Sequence, residues 1–301
     1  MSEATVNGLR SIEFWVPNLK TTARFYDECW KIEPVEQRQD AHYFRATGSE
    51  HHCVVLHEGA TAGVKKVNFS AKDRDTVNYI HQKLVGLGIK IVAPPQKLTT
   101  PGAGFGFSFQ DPDGLEYGIS SDVARHSDGS MQDDRPFKLS HVVLNSAKVP
   151  EQSEWFADAL GFKISDRTEI MHFVRCSADH HSIAIARADG PGLNHTAFEM
   201  PNFNALMTGV GRMQHKGFEI DWGVGRHGPG NNIFSYFREP NGLIVEYTAE
   251  VDQVDDSYPT GTPEQWAERR KKNDMWGTAR APSPLMRRCM HGDLTPPEVQ
   301  F

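Results

Sequence analysis

Hydrophobic and polar residues follow two periods along most of this chain, and the two periods alternate. Short apolar-rich runs such as LRSIEFWV, LSHVVLN and GLIVEYTA are typical of β-strands. Apolar residues recur with helical spacing in ARFYDECW, VNYIHQKLVGLG, WFADALG and FNALMTGVGRMQHKG. We therefore expect four units, at approximately 8–65, 66–125, 136–190 and 191–250, each with a strand, a helix and several further short strands.

The two halves of the chain resemble each other. LRSIEFWVPNLKTTARFYDECWKIEPV and LSHVVLNSAKVPEQSEWFADALGFKIS share the order strand, turn, helix, and SFQDPDGLEYGIS matches SYFREPNGLIVEYTA. The turns in the second pair, Asp111–Gly114 and Glu239–Gly242, combine Pro, which presets φ, with Gly, which accepts positive φ. The polar segment SSDVARHSDGSMQDDRP is the expected linker. The repeat predicts an α+β chain of two domains, 1–130 and 131–250, each made of paired βαβββ units.

After about residue 250 the repeat stops. A helix is expected from Thr262-Pro263, because Thr is a good N-cap and Pro a good first helical residue. The last stretch, APSPLMRRCMHGDLTPPEVQF, is rich in proline and is expected to be irregular. The apolar residues of the tail include Trp266, Trp276, Leu285, Met286 and Phe301. We expect residues 251–301 to form a lid or a subunit contact; a disordered tail is the alternative that its prolines and charges favour.

Composition narrows the class of protein. The 301 residues suffice for two domains with hydrophobic cores, and the net charge of −7 without a basic stripe argues against nucleic acid and anionic membranes as partners. The four cysteines lack CxxC spacing, which indicates a reducing compartment. The N-terminus does not resemble a signal peptide, and no apolar run has the length of a membrane helix. We expect a cytoplasmic protein.

Three strand-like runs of the second half carry a candidate ligand set, His141, His195 and Glu246. Two imidazoles and one carboxylate form the facial triad, which holds Fe(II) and leaves coordination positions open. A single His in an apolar strand is more often structural than a ligand. The repeat changes that assessment, because it places all three residues on equivalent strands of neighbouring units.

The first half serves as an internal comparison. Aligning the halves puts Ser11 opposite His141 and Lys66 opposite His195. Gly118 falls opposite Glu246, or Glu116 if the strand slips by two residues. Because Ser, Lys and Gly cannot supply this ligand set, the first half is expected to bind no metal and to act as a scaffold.

Four βαβββ units with these residues resemble the type I extradiol ring-cleaving catechol dioxygenases of the vicinal oxygen chelate superfamily, which has the glyoxalase-like fold. The resemblance covers nearly the whole chain to about 250 and is densest from 136 to 247. It implies that each domain folds its sheet into a cup. It also implies that His141, His195 and Glu246 hold Fe(II) inside the second cup. The same ligands suit Mn(II).

Three further residues match the family by their spacing. His181 lies 14 residues before His195, where the family has an acid–base near the O2 site. His227 and Tyr236 lie 19 and 10 residues before Glu246. The family has a His near the substrate hydroxyl and a Tyr that hydrogen-bonds the catecholate oxygen there. Their separate alternatives are a polar turn at Asp179–His181 and an ordinary strand tyrosine; the joint spacing favours the catalytic assignment. His180 is interpreted as a turn residue.

The family's pocket-wall positions fall on Val143, Phe173 and Trp222. Val143 and Phe173 are apolar. Trp222 stands where relatives that bind arylacetate carboxylates have an Arg, the natural partner of a carboxylate. We therefore expect an uncharged catechol, alkyl- or aryl-substituted. A carboxylate contact from Arg269 or Arg270 in the tail is the alternative.

The resemblance implies extradiol ring cleavage of a catechol with O2, in aromatic catabolism, by a homo-oligomer, either a dimer or a tetramer. Two alternatives stay open. One is another metal-dependent enzyme of the superfamily, such as a glyoxalase-like isomerase or epimerase, although those usually have more carboxylate ligands. The other is a non-enzymatic protein of the same fold that binds an aromatic ligand. The ring substituent, the cleavage position and the choice between Fe(II) and Mn(II) do not follow from the sequence.

Overall fold

The computed structural model describes residues 5–269 and 274–299. The first sheet contains β1 (Val6–Val16), β2 (Glu33–Gln37), β3 (Ala41–Arg45), β4 (Val54–Glu58), β5 (Gly63–Ala71), β6 (Ile91–Lys97), β7 (Phe105–Gln110) and β8 (Glu116–Ser121). The second contains β9 (Lys138–Ser146), β10 (Lys163–Arg167), β11 (Met171–Arg175), β12 (Ile183–Arg187), β13 (Gly192–Glu199), β14 (Trp222–Arg226), β15 (Ile233–Arg238) and β16 (Ile244–Ala249). The helices are α1 (Leu19–Arg24), α2 (Arg74–Gly86), α3 (Val149–Leu160), α4 (Phe203–His215), α5 (Pro263–Arg269) and α6 (Pro284–Met290).

The two sheets have the same topology. Their strand orders are β2-β3-β4-β1-β5-β8-β7-β6 and β10-β11-β12-β9-β13-β16-β15-β14. In each sheet the first strands of the two units pair antiparallel at the centre, and each also pairs in parallel with the last strand of its own unit. Each unit is therefore a strand, a helix and three strands. The predicted α+β fold of paired βαβββ units is confirmed.

The four predicted helices form with recognisable ends. Asp73 caps α2 by accepting the Thr76 N–H at 2.8 Å, and Asn202 caps α4 by accepting the Ala205 N–H at 2.9 Å. The helix α3 ends at Gly161, whose φ of +76° is the left-handed conformation that glycine adopts easily. In the first unit, α1 continues directly as a π-helix over Phe25–Trp30.

Both predicted hairpin turns are present. The Gly114 N–H donates to the Asp111 carbonyl at 2.9 Å, and the Gly242 N–H donates to the Glu239 carbonyl at 2.8 Å. Both glycines have positive φ, +85° and +91°. Each turn joins the last two strands of its half and so sets their register, which decides the face on which Glu246 lies.

One face of each sheet packs against helices and against the other half, in a shared core. Trp30 stacks on Tyr247 with ring centroids 3.7 Å apart, and the Tyr247 hydroxyl donates to the Trp30 carbonyl at 2.9 Å. The opposite face of the second sheet carries separate apolar clusters. We call this face the cup; its clusters contain Val143, Phe173, Ala184 and Ala186 on one side and Phe234, Tyr236 and Ile244 on the other.

The described part of the tail, 251–269 and 274–299, contains two helices rather than one. The helix α5 begins at Pro263 as expected, with a reciprocal cap in which Thr262 and Gln265 bond each other's backbone N–H. The expectation that the last stretch is irregular is wrong. Ser283 caps α6 by accepting the Met286 N–H at 3.0 Å, and Pro284 follows as its first residue. This is the same Ser/Thr-Pro signal that identified α5.

The helix α6 packs onto the cup. Met286 and Cys289 are buried against Phe234 and Ile244. Phe301 and Arg270 of the tail lie outside the described residues. Within the described part of the chain, no helix is long and apolar enough to cross a membrane.

Candidate active site

The three candidate ligands lie on adjacent strands at the centre of the cup. His141 is on β9, His195 on β13 and Glu246 on β16, and these strands are neighbours in the order β9-β13-β16. Ala197 pairs with His141 on one side and with Glu246 on the other. The register is unbroken from His195 to Ala197, so strand alternation puts His195 on the same face as Ala197.

The ligand atoms converge. Nε2 of His141 is 3.3 Å, and Nε2 of His195 is 3.2 Å, from Oε2 of Glu246. One ligand atom from each of the three residues lies within 4.8 Å of the others. The Glu246 side chain is 0% exposed, so this carboxylate has no bulk water to solvate it.

A chain of hydrogen bonds fixes the tautomer of His195. The Met290 carbonyl in α6 can only accept, so the Asn145 amide nitrogen donates to it, at 2.6 Å. The Asn145 oxygen then accepts from the Asn194 amide nitrogen at 2.9 Å, and the Asn194 oxygen faces Nδ1 of His195 at 2.8 Å. His195 therefore carries its hydrogen on Nδ1, and Nε2 presents a lone pair to Glu246.

These donors fit a divalent cation. Oε2 of Glu246 is buried without a hydrogen-bond partner among the described residues. A lone pair of His195 that faces this anionic oxygen is unfavourable unless a cation lies between them. Burial also lowers the pKa of His195, which favours the neutral imidazole that binds metals. Two imidazole nitrogens and one carboxylate are the set expected for Fe(II) or Mn(II).

The three further residues singled out by spacing all lie beside the candidate ligands. The His181 ring centroid is 4.2 Å from that of His141. Nε2 of His227 is 2.9 Å from the Tyr236 hydroxyl and 3.9 Å from Oε1 of Glu246. The structure therefore brings together residues that are up to 105 positions apart in the chain.

Burial keeps these three groups neutral. It lowers the pKa of His227 to about 4 and that of His181 well below its usual range, with the neighbouring histidines adding to the effect at His181. Burial, followed by the charge of Glu246, raises the pKa of Tyr236 well above its usual range. At neutral pH the site thus offers imidazole bases and a phenol donor.

The proposed pocket-wall residues line the same space. The Phe173 ring is 5.1 Å from the His181 ring, and Trp222 stacks on Tyr236 at 5.1 Å with an interplanar angle of 17°. Val143 packs in the same cluster as Phe173. These three residues therefore place apolar and aromatic side chains on both sides of the candidate ligands.

The tail also approaches the loop that carries His227. A Cβ on Gly228 would come within 2.9 Å of the Trp266 ring, so this ring packs closely against the backbone of the loop. The Arg269 guanidinium lies over the Trp266 ring, 5.2 Å from its centroid. Two arginines of the tail are the alternative partners for a substrate carboxylate. Arg269 contacts an aromatic ring, and Arg270 lies outside the described residues.

The equivalent place in the first half is filled differently. The pairing of Glu13 with Lys66 corresponds to that of Val143 with His195, and Gly118, rather than Glu116, is equivalent to Glu246. Lys66 Nζ lies 2.8 Å from Oε1 of Glu13. An internal ion pair therefore stands where the second half gathers its ligands.

Sequence reasoning missed several residues that support this site. Asn145 and Asn194 orient His195, as described above. Asn232, buried, donates to Thr248 at 2.7 Å and approaches Oε1 of Glu246 at 3.4 Å. His180 was interpreted as a turn residue but is fully buried. Asn145 and Asn194 meet across 49 residues of sequence, and Asn232 approaches Glu246 across 14, so no local motif identifies them.

Both halves of the chain match one known family. Residues 8–118 and 138–247 match the model described as Glyoxalase/Bleomycin resistance protein/Dioxygenase superfamily. The chain belongs to this superfamily. Metapyrocatechase 2 of Cupriavidus necator, a curated member, is 27% identical over 79% of this chain and 79% of its own length. The manganese-dependent 2,3-dihydroxybiphenyl 1,2-dioxygenase of Geobacillus genomosp. 3 is 23% identical over 74% of this chain and 78% of its own length.

A solved structure of the superfamily is closely similar. The Mn(II)-bound glyoxalase from Novosphingobium aromaticivorans superimposes with a TM-score of 0.88 at 34% identity. The match covers 99% of this chain and 96% of that one, so the likeness includes the tail as well as the repeated units.

Proposed function

We propose that this member of the superfamily is an extradiol dioxygenase, which cleaves a catechol ring beside the diol and inserts both atoms of O2. The observation that carries the proposal is the buried set His141, His195 and Glu246 with neutral acid–base groups around it. Two relatives named as a metapyrocatechase and as a dihydroxybiphenyl dioxygenase support it.

In this proposal the three residues hold Fe(II) or Mn(II). When bound, such a cation would couple the electrons of catechol and O2 and would hold the two side by side, and this positioning removes much of the entropy cost of their encounter. The three ligands supply one negative charge to the cation, that of Glu246. The Met290–Asn145–Asn194 chain keeps Nε2 of His195 available as a ligand.

His181 is the proposed acid–base. A catechol must lose a proton as it reacts, and the neutral imidazole next to His141 can accept that proton and later return it. Its burial beside Phe173 keeps bulk water away from this proton.

Tyr236 and His227 are proposed to stabilise the substrate oxygens. The Tyr236 phenol stays protonated and can donate a hydrogen bond to an anionic catecholate oxygen. His227, 2.9 Å from that hydroxyl, orients it. Both residues lie close to Glu246, because Tyr236 pairs with it across β15 and β16 and Nε2 of His227 is 3.9 Å from its Oε1.

The proposed substrate is an uncharged, substituted catechol. Val143, Phe173 and Trp222 offer apolar and aromatic surface rather than a cation. An aromatic or alkyl ring substituent gains free energy when it leaves water for such a surface. A carboxylate substituent would lose its hydration there without an arginine partner.

The test is ring cleavage by metal-loaded protein. The chain is loaded anaerobically with Fe(II) or Mn(II), then given oxygenated buffer with catechol, 3-methylcatechol or 2,3-dihydroxybiphenyl. The proposal expects a yellow ring-fission product and one O2 consumed per catechol. Homoprotocatechuate, which carries a carboxylate, is the matched comparison and should have a lower kcat/KM. Full metal loading without O2 consumption on any catechol would overturn the proposal.

A glyoxalase-like reaction is the second candidate, because the Mn(II)-bound neighbour at 34% identity is named a glyoxalase. Its substrate would be the hemithioacetal of methylglyoxal and glutathione. The same metal-loaded protein is assayed for thioester formation without O2. Thioester formation together with no O2 uptake would favour this candidate over ring cleavage.

We further propose that residues 1–130 and 131–250 are the two domains and that residues 251–301 close the second cup. The packing of α6 on Phe234 and Ile244 supports the closure. A dimer or tetramer is also proposed, and sedimentation of the full chain is its test.

A further inference from the structure

A second chain of buried hydrogen bonds lies behind His181. Nε2 of His180 is 2.8 Å from Oδ2 of Asp166, and Nδ1 of His180 is 3.1 Å from Nδ1 of His181. The side chains of Asp166 and His180 are 0% exposed. A carboxylate, an imidazole and the proposed acid–base are thus connected in series, away from bulk water.

The direction of these hydrogen bonds follows from what each atom can do. The carboxylate of Asp166 accepts, so His180 carries a hydrogen on Nε2. A neutral His180 then has a lone pair on Nδ1, which can only accept. The hydrogen between the two rings must therefore belong to Nδ1 of His181, and Nε2 of His181 keeps its lone pair.

We propose that Asp166 and His180 are positioning residues that select this tautomer of His181, so that Nε2 is the nitrogen free to accept the proton of the substrate. The inference rests on the proposed role of His181 in ring cleavage. It concerns where a neutral ring carries its hydrogen. In the Ser-His-Asp triad a buried carboxylate orients the imidazole base directly, whereas Asp166 acts on His181 through His180.

The first half of the chain provides an internal comparison. His51 and His52 occupy the equivalent positions, and their Nδ1 atoms are 3.2 Å apart. The contact between two imidazoles is therefore a property of the repeated fold. Glu36 is equivalent to Asp166, but its side chain is 42% exposed and accepts from Arg38 instead. Of these two equivalent carboxylates, the one in the half with the candidate ligands is buried and contacts the histidine pair.

The tail holds Asp166 in one orientation. The Gly261 N–H donates to Oδ1 at 2.7 Å, while the Tyr258 hydroxyl approaches Oδ2 at 3.3 Å and its ring packs edge-on against His180. The Arg167 N–H donates back to the Gly261 carbonyl at 3.0 Å. Oδ1 is committed to a backbone donor, so Oδ2 is the oxygen that faces His180.

This orientation makes Asp166→Asn a directed test. The Gly261 N–H requires an acceptor, so the Asn oxygen replaces Oδ1 and the Asn nitrogen replaces Oδ2. That nitrogen donates to Nε2 of His180, which must then carry its hydrogen on Nδ1 and donate it to His181. The free nitrogen of His181 becomes protonated and can no longer accept. We expect kcat to fall about 100- to 10,000-fold, as when the triad carboxylate is replaced by an amide, with the catechol KM changed less than about 3-fold and bound metal unchanged.

A double-mutant cycle separates tautomer selection from loss of structure. In His180→Phe protein the ring between Asp166 and His181 cannot relay a hydrogen bond, so Asp166→Asn should cost no further kcat. We also expect the single Asp166→Asn variant to be slower than the Asp166→Asn, His180→Phe double variant, although the double variant alters more of the core. Glu36→Gln, the equivalent change in the first half, should leave kcat within about 2-fold.

The tautomer is read directly by 15N NMR of histidine-labelled protein, metal-free and loaded with diamagnetic Zn(II). The expected result is a hydrogen on Nδ1 of His181 in the parent chain and on Nε2 in Asp166→Asn. An unchanged His181 tautomer, or equal costs of Asp166→Asn in both backgrounds, would overturn the inference. If the parent chain cleaves no catechol, the proposed function fails, while the NMR result still decides whether Asp166 selects the tautomer.

Discussion

Replacing Glu246 with Gln should abolish the metal-dependent stabilisation of the fold. The side chain is 0% exposed, and two imidazole nitrogens lie 3.2–3.3 Å from its Oε2. Gln has nearly the same shape but no charge. The substitution therefore removes the only carboxylate of the candidate ligand set while the shape of the side chain on β16 is kept.

The expected magnitude follows from linkage. A metal present at 100 times its Kd stabilises the folded state by about 2.7 kcal/mol. With an unfolding entropy of about 2.1 cal/mol/K per residue, this raises the Tm of a 301-residue chain by about 4 °C. Loss of an outer-shell partner already costs about 10- to 100-fold in metal affinity, so loss of a ligand should cost at least about 100-fold. At the same metal concentration the variant then gains at most about 0.4 kcal/mol, or under about 1 °C.

The assay is thermal unfolding of both proteins, anaerobically, across a series of Mn(II) or Fe(II) concentrations, with bound metal measured after desalting. Glu13→Gln is the matched control, because Glu13 is a buried carboxylate at the equivalent place in the first half and pairs with Lys66 at 2.8 Å. It should lower the metal-free Tm yet keep the full metal-dependent increase. A Glu246→Gln protein that retains stoichiometric metal and the full increase in Tm would refute the ligand assignment.

Four further outcomes are expected. His181→Gln should retain metal and catechol binding but turn over about 100- to 10,000-fold more slowly. Single-turnover kinetics measure this rate, and a variant that reacts at the full rate would contradict the acid–base role. Tyr236→Phe should lower kcat about 100-fold or more with metal content unchanged, because a donor to the substrate oxygen is lost; an unchanged rate would make Tyr236 structural. Burial raises the pKa of Glu13, but His57 and the two lysines outweigh it and hold that pKa far below 4.5. The contribution of the Glu13 carboxylate to the free energy of unfolding is therefore complete above about pH 5 and is lost as the pH falls. The difference in urea stability between the parent and Glu13→Gln should shrink on acidification. A difference that stays constant down to about pH 3 would exclude this contribution. Truncation after residue 282 removes α6 and the Met290 acceptor, and should weaken metal affinity about 10-fold; equal metal Kd values would show that α6 does not support His195.

Much of the fold could be predicted from the sequence because its determinants are local and repeated. The Pro-Asp-Gly and Pro-Asn-Gly turns, the caps and the strand periods each specify structure within a few residues, and the duplication allowed one half to be compared with the other. The positions of His141, His195 and Glu246 followed for the same reason, since strand alternation and equivalent places in the units put them on one face. The helix α6 was missed although Ser283-Pro284 carries the local signal, because the prolines nearby suggested an irregular segment.

The tertiary structure alone decided which polar residues support the site. Asn145 meets a carbonyl 145 residues away, at Met290. Asp166 is held by Gly261, 95 residues away, and its link to His180 depends on burial that no local pattern of polar residues indicates. The contact of Trp30 with Tyr247 likewise joins the two halves across 217 residues. Hydrogen bonds between such distant residues leave no periodic trace in a sequence, because the strands and turns that bring them together would form equally well without them.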